Sequence, residues 1–138
     1  MTITIQLRNV LMTVAMSAIV ASSACGKSDP KLQGVKKLYV DGNNQTAVDV
    51  WRMLAKDKGA CFDAVEKKDD ADAVLEVDER MVNVVLVGQS TGSTARLVSK
   101  DGAVLWMNSE QSGTPFGTGA KMNATLLVKA LKRAAGCR

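Results

Sequence analysis

The sequence contains no histidine and few aromatic residues. Among its 138 residues there are two Trp, two Phe and one Tyr. Without imidazole, Ser-His and Cys-His nucleophile pairs and the common histidine metal sites are unavailable. Few aromatic rings leave little to stack on nucleic-acid bases, and the net charge of +4 is mild. We therefore predict a protein that is not an enzyme, holds no metal or other cofactor, and binds no nucleic acid.

The basic excess lies mostly at the C-terminal end. Residues Lys121 to Arg138 include five cationic residues and no acidic one. Such a tail is compatible with contact to anionic lipid or nucleic acid. We interpret it instead as the solvated face of a helix, whose C-terminal end favours positive charge.

The N-terminal segment, residues 1–24, is predicted to be a signal peptide. It has one charged residue, Arg8, followed by the uncharged run "VLMTVAMSAIVASSA". A positive start, a short apolar core and a small-residue end are typical of secretory signals, whereas a membrane-spanning helix needs roughly 20 apolar residues. A buried N-terminal core helix is the alternative. We expect an exported chain.

The stretch "VASSACGK" places Cys25 directly after that run. It resembles the lipobox of bacterial lipoproteins, in which a small residue precedes the cysteine that receives diacylglycerol. Ser22 stands where leucine is usual, and the stretch also suits an ordinary signal peptidase. Lipidation of Cys25, with the membrane as partner, is therefore the expectation, and ordinary secretion is the alternative. Residues 25–34, "CGKSDPKLQG", are polar and are predicted to be a flexible tether.

Two further cysteines, Cys61 and Cys137, lie in the mature part. Export to an oxidising compartment favours disulfide pairing, and an odd number of cysteines leaves one over. We predict a Cys61–Cys137 bridge between the start of a strand and the end of the last helix. Two unpaired thiols are the alternative.

Residues 35–138 are predicted to form a single α+β domain. Hydrophobic periodicity indicates the order β-α-β-β-β-β-α, with two helices (46–58 and 120–135) on one face of a mixed, mostly antiparallel sheet of about six strands. Val48, Trp51, Leu54 and Ala55 form the expected core face of the first helix. The predicted strands are 35–42, 60–66, 73–79, 81–88, 94–99 and 103–109, the last two joined by a turn at Lys100-Asp101-Gly102.

Two motifs invite a catalytic interpretation. "GQSTG" (88–92) has the G-x-S-x-G pattern, but its predicted flanks are both strands and no histidine is available, so Ser90 is interpreted as a turn residue. "GTPFGTGAKMN" (113–123) lacks the spacing of a phosphate-binding loop. Trp106 and Phe116 are the candidate ligand or partner surface, although a tryptophan on a strand is more often part of the core.

With this order and the segments "KKLYVDG", "ADAVLEVDE" and "SKDGAVLWMNS", the chain resembles the small envelope domain found at the N-terminus of TolB and in CsgG-like bacterial lipoproteins. The resemblance covers about residues 35–136 and carries no catalytic residues. It implies an accessory or assembly role in the cell envelope. It names no partner, and the chain lacks the β-propeller of TolB.

The leading functional hypothesis is thus a non-enzymatic envelope protein, anchored by lipid on Cys25 or free in the periplasm, that contacts an unidentified envelope protein. The alternative is a soluble periplasmic module that binds a small ligand near Trp106 and Phe116. A serine hydrolase that uses Ser90 ranks third. The sequence does not specify the partner, the membrane or the oligomeric state.

Overall fold

The computed structural model describes residues 28–57, 61–84, 88–113 and 119–137. The predicted signal peptide, Cys25 and Phe116 lie outside these residues. Two helices and five strands follow one another in the order β1 Lys37–Asp41, α1 Gln45–Lys56, β2 Asp63–Val65, β3 Ala73–Val84, β4 Gly88–Ser99, β5 Val104–Gly113 and α2 Gly119–Ala134. Short 3-10 helices occupy Pro30–Leu32 and Lys68–Asp70.

The five strands form one mixed sheet in the order β2-β1-β3-β4-β5. Strand β1 is parallel to both β2 and β3, because α1 and the segment after β2 carry the chain back across the sheet. Strands β3, β4 and β5 form an antiparallel meander. The α+β class, the mixed sheet and the two helices agree with the prediction, but the sheet has five strands rather than six.

The sixth strand disappears because β3 runs through a predicted bend. The sequence separates strands 73–79 and 81–88 at the charged residue Arg80, yet β3 is continuous from Ala73 to Val84 and pairs with β4 along its whole length. The predicted turn 89–93 is likewise part of β4. Around Arg80 the ladder with β4, and along 90–93 the ladders with both β3 and β5, override the polar composition, since strand preference depends strongly on context.

The core lies between the sheet and both helices. Side chains alternate along β3 and β4, so that Ala73, Leu75 and Val77 are buried beneath the helices. Helix α2 buries a stripe of residues at helical spacing, with Ala120, Ala124, Leu127 and Leu131 buried and Ala134 packed against the core.

The predicted core face of α1 is partly wrong. Val48 is 41% exposed and Trp51 is 37% exposed, whereas Val50 and Leu54 are buried. The helix begins one residue earlier than predicted, and Asn44 is its N-cap, accepting a hydrogen bond from the amide of Ala47. Contacts of this helix with α2 and β3 select its buried side, a choice that the apolar pattern alone leaves ambiguous.

The predicted hairpin between β4 and β5 is present. Gly102 has a φ of +89°, and its amide donates to the carbonyl oxygen of Ser99. The side chain of Asp101 accepts from the Ser99 hydroxyl, and this bond, followed by backbone amides, lowers the pKa of Asp101.

Candidate functional site

The C-terminal ends of α1 and α2 meet the start of the described chain at one end of the molecule, which we call the anchor pole. It is defined by Asp29, Asp57, Cys61, Ala134 and Cys137. The two helices run side by side toward this pole. Met53 of α1 contacts Thr125 of α2, and Asp57 at the end of α1 forms an ion pair with Lys132 of α2.

Helix α2 ends at this pole in a glycine-dependent cap. Gly136 has a φ of +74°; its amide donates to the carbonyl of Arg133, and the amide of Cys137 donates to the carbonyl of Lys132. This pair of bonds defines a Schellman motif, which favours glycine because its left-handed conformation strains other residues. The motif turns the chain so that Cys137 leaves the helix axis.

Cys137 forms a disulfide bond with Cys61, with the two Cα atoms 5.8 Å apart. Cys61 precedes β2, the edge strand next to β1, so the bridge fixes the end of α2 to this side of the sheet. The bond closes a loop between residues 76 positions apart. A cross-link over so long a loop restricts the unfolded chain strongly.

The start of the described chain is tied to the same pole. The amide of Asp29 donates to the carbonyl of Ala134, 2.7 Å away, which satisfies one of the carbonyls left open at the end of α2. The side chain of Asp29 caps the 3-10 helix Pro30–Leu32, and Leu32 is buried in the core. The second half of the predicted tether is therefore a folded part of the domain.

A shallow groove of about 640 Å³ runs between the two helices at this pole. Met53 and Val128 form its apolar floor. Four cationic residues line its rim, Lys56, Lys129, Lys132 and Arg133, and one acidic residue, Asp57, lines it as well. The groove is therefore cationic, and the pair between Lys132 and Asp57 leaves three further positive charges around it.

At the opposite end of the helices lies a chain of buried polar groups. Asn123 donates to Ser93, whose hydroxyl lies 3.0 Å from that of Thr46, and Thr46 donates to the Glu79 carboxylate at 2.7 Å. Asn123 also donates to the carbonyl of Thr91. Its Oδ1 atom is buried and has no hydrogen-bond partner among the described residues. These bonds fix both helix N-terminal regions to the sheet.

The sheet face away from the helices carries charges of both signs. Arg96 of β4 forms an ion pair with Glu76 of β3 at 2.6 Å, and Asp78 and Arg80 follow on the same side of β3. Both side chains of the ion pair are partly exposed, so such a pair stabilises the fold by little. The charges of these four residues balance, in contrast to those around the helical groove.

Strand β5 is an edge strand of the sheet, since it pairs only with β4 in the described part of the chain, and the 3-10 helix Pro30–Leu32 contacts it. Its sequence "VLWMNSEQSG" has one charged residue, Glu110, and no proline. A register irregularity opposite Leu97 and Val98 leaves Leu105 without a pairing partner in β4. Val104 and Met107 are 50% and 62% exposed.

Trp106 and Ser90 lie within the described residues, whereas Phe116 and Cys25 do not. Trp106 lies opposite Leu97 and packs, half-buried, against the core. Ser90 is a buried residue of β4 rather than a turn residue. Its hydroxyl donates to the carbonyl of Ser112 and accepts from the side chain of Gln111. The strand–turn–helix geometry of a nucleophile elbow is not present around Ser90.

Sequence reasoning missed the anchor pole and the buried polar chain. Neither has a contiguous motif, because Asp29 and Ala134 are far apart in the sequence, as are Glu79 and Thr46. The acid-free run of lysines and arginines in α2 was the available signal for the groove.

Within the described ranges, no cluster of three or more His, Cys, Asp or Glu side chains is arranged to hold a metal ion. Neither described helix combines the length and the apolar composition that a membrane-spanning helix needs.

No protein-family model and no curated protein matches the chain. A search of solved structures finds the solution NMR structure of uncharacterized lipoprotein B from Nitrosomonas europaea. The two chains share 13% identity with a TM-score of 0.36, over 72% of this chain and 76% of the other. A likeness at that TM-score carries no argument about function. The resemblance to TolB and CsgG-like domains therefore rests on its short motifs.

Proposed function

We propose that this chain is a non-enzymatic, exported protein of the bacterial cell envelope, anchored through lipid on Cys25, with an accessory or assembly role through contact with another protein. The observation that carries the proposal is the Cys61–Cys137 bridge. It accounts for two of the three cysteines and is typical of an oxidising compartment. Cys25 is left as the odd cysteine, directly after the uncharged run that resembles a lipobox.

The position of the first described residues supports the same proposal. Asp29 lies four residues after Cys25 and is bonded to the end of α2. A lipid on Cys25 would thus hold the folded domain close to the membrane, because only a short linker separates the two. In support of a non-catalytic role, the Ser90 hydroxyl is buried and engaged by Ser112 and Gln111.

The proposed lipidation is tested by intact mass and by detergent partitioning of membranes from cells that express the full chain. The wild-type protein is expected to gain the mass of a diacylglyceryl group and to enter the detergent phase. Cys25→Ser should lose both properties while retaining the Cys61–Cys137 bridge. Equal mass and equal partitioning of the two proteins would instead favour ordinary secretion.

For the partner contact, we propose that an extended segment of an envelope protein adds a strand to the edge of β5. An open strand edge presents unpaired amide and carbonyl groups to such a segment. Lysine, proline, bulges and covering segments protect natural edges. Strand β5 has no lysine or proline, and its register irregularity lies at Leu105, before Met107. Its exposed Met107 adds an apolar contact for the incoming strand.

Crosslinking and pull-down from the native envelope test this contact. Met107→Lys should abolish capture of the partner, because a lysine on the edge opposes strand addition. Val48→Lys is the matched control: Val48 is 41% exposed but belongs to α1, which has no strand edge. Equal capture by both variants would contradict strand addition at β5.

A further inference from the structure

The anchor pole limits how far the C-terminal end of α2 can lie from a lipid on Cys25. A fully extended chain spans at most about 3.6 Å per residue, so the four steps from Cys25 to Asp29 cover no more than about 14 Å. The amide of Asp29 is bonded to Ala134, the last residue of α2. If Cys25 is lipidated, as proposed above, the C-terminal end of α2 is therefore held within roughly that distance of the lipid headgroups.

Helix α2 is the cationic element of the domain. Its sequence, "GAKMNATLLVKALKRA", has four positive residues and no acidic one. Lys121, Lys129 and Arg133 are exposed, at intervals of four or eight residues that place them on one stripe of the helix. Lys132 is paired with Asp57, and Lys56 adds a further exposed charge from the end of α1.

Apolar side chains lie between these charges. Met122 is 52% exposed and Leu126 is 39% exposed, four residues apart on the outer side of α2. They border a shallow depression together with Lys121 and Thr125. Helices that lie in a membrane interface combine apolar side chains with flanking lysine or arginine, whose long stems let the charge reach the headgroups.

We propose that the outer face of α2, defined by Lys121, Met122, Leu126, Lys129 and Arg133, rests on an anionic phospholipid surface when the chain is anchored through Cys25. The tie at Asp29 keeps the C-terminal end of this face within reach of the membrane, and the charge of the face selects anionic lipid. The opposite face of the sheet carries both signs of charge and lies on the other side of the core from α2.

The test uses the chain from residue 25 onward with Cys25→Ser, which keeps every core residue from Leu32 to Leu131. Binding is measured by sedimentation with vesicles of phosphatidylglycerol and phosphatidylcholine, and with vesicles of phosphatidylcholine alone. Binding to the anionic vesicles at low salt, lost at high salt and absent with the neutral vesicles, is the expected result. No binding at low salt, or equal binding to both vesicle types, would overturn the proposal.

Charge reversal locates the contact. The Lys129→Glu/Arg133→Glu variant should bind anionic vesicles at least about 25-fold more weakly, because each cation near such a surface contributes about fivefold. Lys68→Glu/Lys100→Glu is the matched control, with the same change of charge at exposed residues of the 3-10 helix before β3 and of the turn after β4. The proposal requires that the Lys129→Glu/Arg133→Glu variant lose more affinity for anionic vesicles than the control variant. Equal loss by both variants would mean that the contact lies elsewhere.

The apolar contribution has its own variant. Met122→Ser/Leu126→Ser should weaken vesicle binding at fixed charge, while Val48→Ser, which removes a comparably exposed apolar side chain from α1, should leave it unchanged. If the charge-reversal variant instead binds vesicles normally but loses an envelope protein in pull-down, α2 is a protein-binding face and the proposal is wrong. Vesicle binding uses unlipidated protein, so its outcome is independent of the mass measurement on Cys25.

Discussion

The Glu79 carboxylate accepts two hydrogen bonds from Thr46, at 3.0 Å from the backbone amide and 2.7 Å from the hydroxyl. Glu79 belongs to β3 and Thr46 to the first turn of α1, so one carboxylate joins the sheet to a helix N-terminus. A negative charge at this position satisfies an open amide and interacts favourably with the helix dipole. Asn44 caps the next amide, that of Ala47.

We expect Glu79→Ala to lower the free energy of unfolding by about 1–3 kcal/mol, since it removes the carboxylate that accepts from both the amide and the hydroxyl of Thr46. Glu79→Gln keeps an acceptor oxygen but not the charge, and should cost less, about 0.5–1 kcal/mol. Urea denaturation measures both. Asp78→Ala is the control, because the neighbouring Asp78 is exposed on the other face of β3; a comparable loss there would contradict the capping role.

Removal of the disulfide should destabilise the fold without changing its topology. For Cys61→Ser/Cys137→Ser, the loop of 76 residues predicts a loss of about 4–5 kcal/mol at most, and 2–5 kcal/mol is usual for native bridges. Urea denaturation of the wild-type protein with and without reductant gives an independent measure. The oxidised wild type should be more stable than the reduced wild type, whereas reductant should not change the stability of the double-serine variant.

Gly42 is expected to tolerate no side chain. A Cβ atom there would lie 2.5 Å from the carbonyl oxygen of Val77 and 2.8 Å from the Cβ of Ala47, at the point where β1 turns toward α1. Both neighbours are fixed, one by the sheet and one by the helix, so Gly42→Ala should cost more than about 2 kcal/mol. Thermal unfolding is a suitable measurement.

Gly34 provides the matched control for that substitution. It has a φ of +87°, but a Cβ atom there would meet nothing within 4 Å. Gly34→Ala should therefore cost only the backbone strain of the left-handed conformation, about 1–2 kcal/mol. If Gly42→Ala cost no more than Gly34→Ala, the close approach to Val77 would not be limiting.

The carboxylate of Asp72 ties the start of β3 to β1. It accepts hydrogen bonds from the amides of Lys37 and Lys36, at 2.8 and 3.0 Å, and these bonds lower its pKa below the ordinary 3.8. Because the folded pKa is the lower one, the unfolded chain takes up this proton first as the pH falls. The stabilisation is present above about pH 3.8 and is lost as the pH falls through the folded pKa.

We therefore expect Asp72→Asn to be less stable than the wild type at neutral pH, and the difference to shrink in acid. The side chain is exposed, so the loss should stay below about 1 kcal/mol. Urea denaturation at about pH 6 and about pH 2.5 measures it. Asp70→Asn removes a neighbouring carboxylate and reports the general effect of charge; an equal pH dependence for both variants would contradict the specific role of Asp72.

The sequence alone determined the elements that have a strong local signal. The apolar stripe of α2, the Asp-Gly turn after β4 and the alternating core residues of β3 follow from side-chain periodicity and from the freedom of glycine, which require no knowledge of distant contacts. The α+β class follows from their order. In the same way, the position of Cys25 after an uncharged run supports the hypothesis of export without any fold.

Tertiary structure decided what depends on distant partners. The polar stretch around Arg80 and Ser90 is strand because β3 and β4 pair along their full length, and Trp51 is exposed because contacts with α2 and β3 choose the buried side of α1. The bond from Asp29 to Ala134 brings the beginning and the end of the domain together. Such contacts gain their free energy only once the chain is folded, so local sequence patterns carry no record of them.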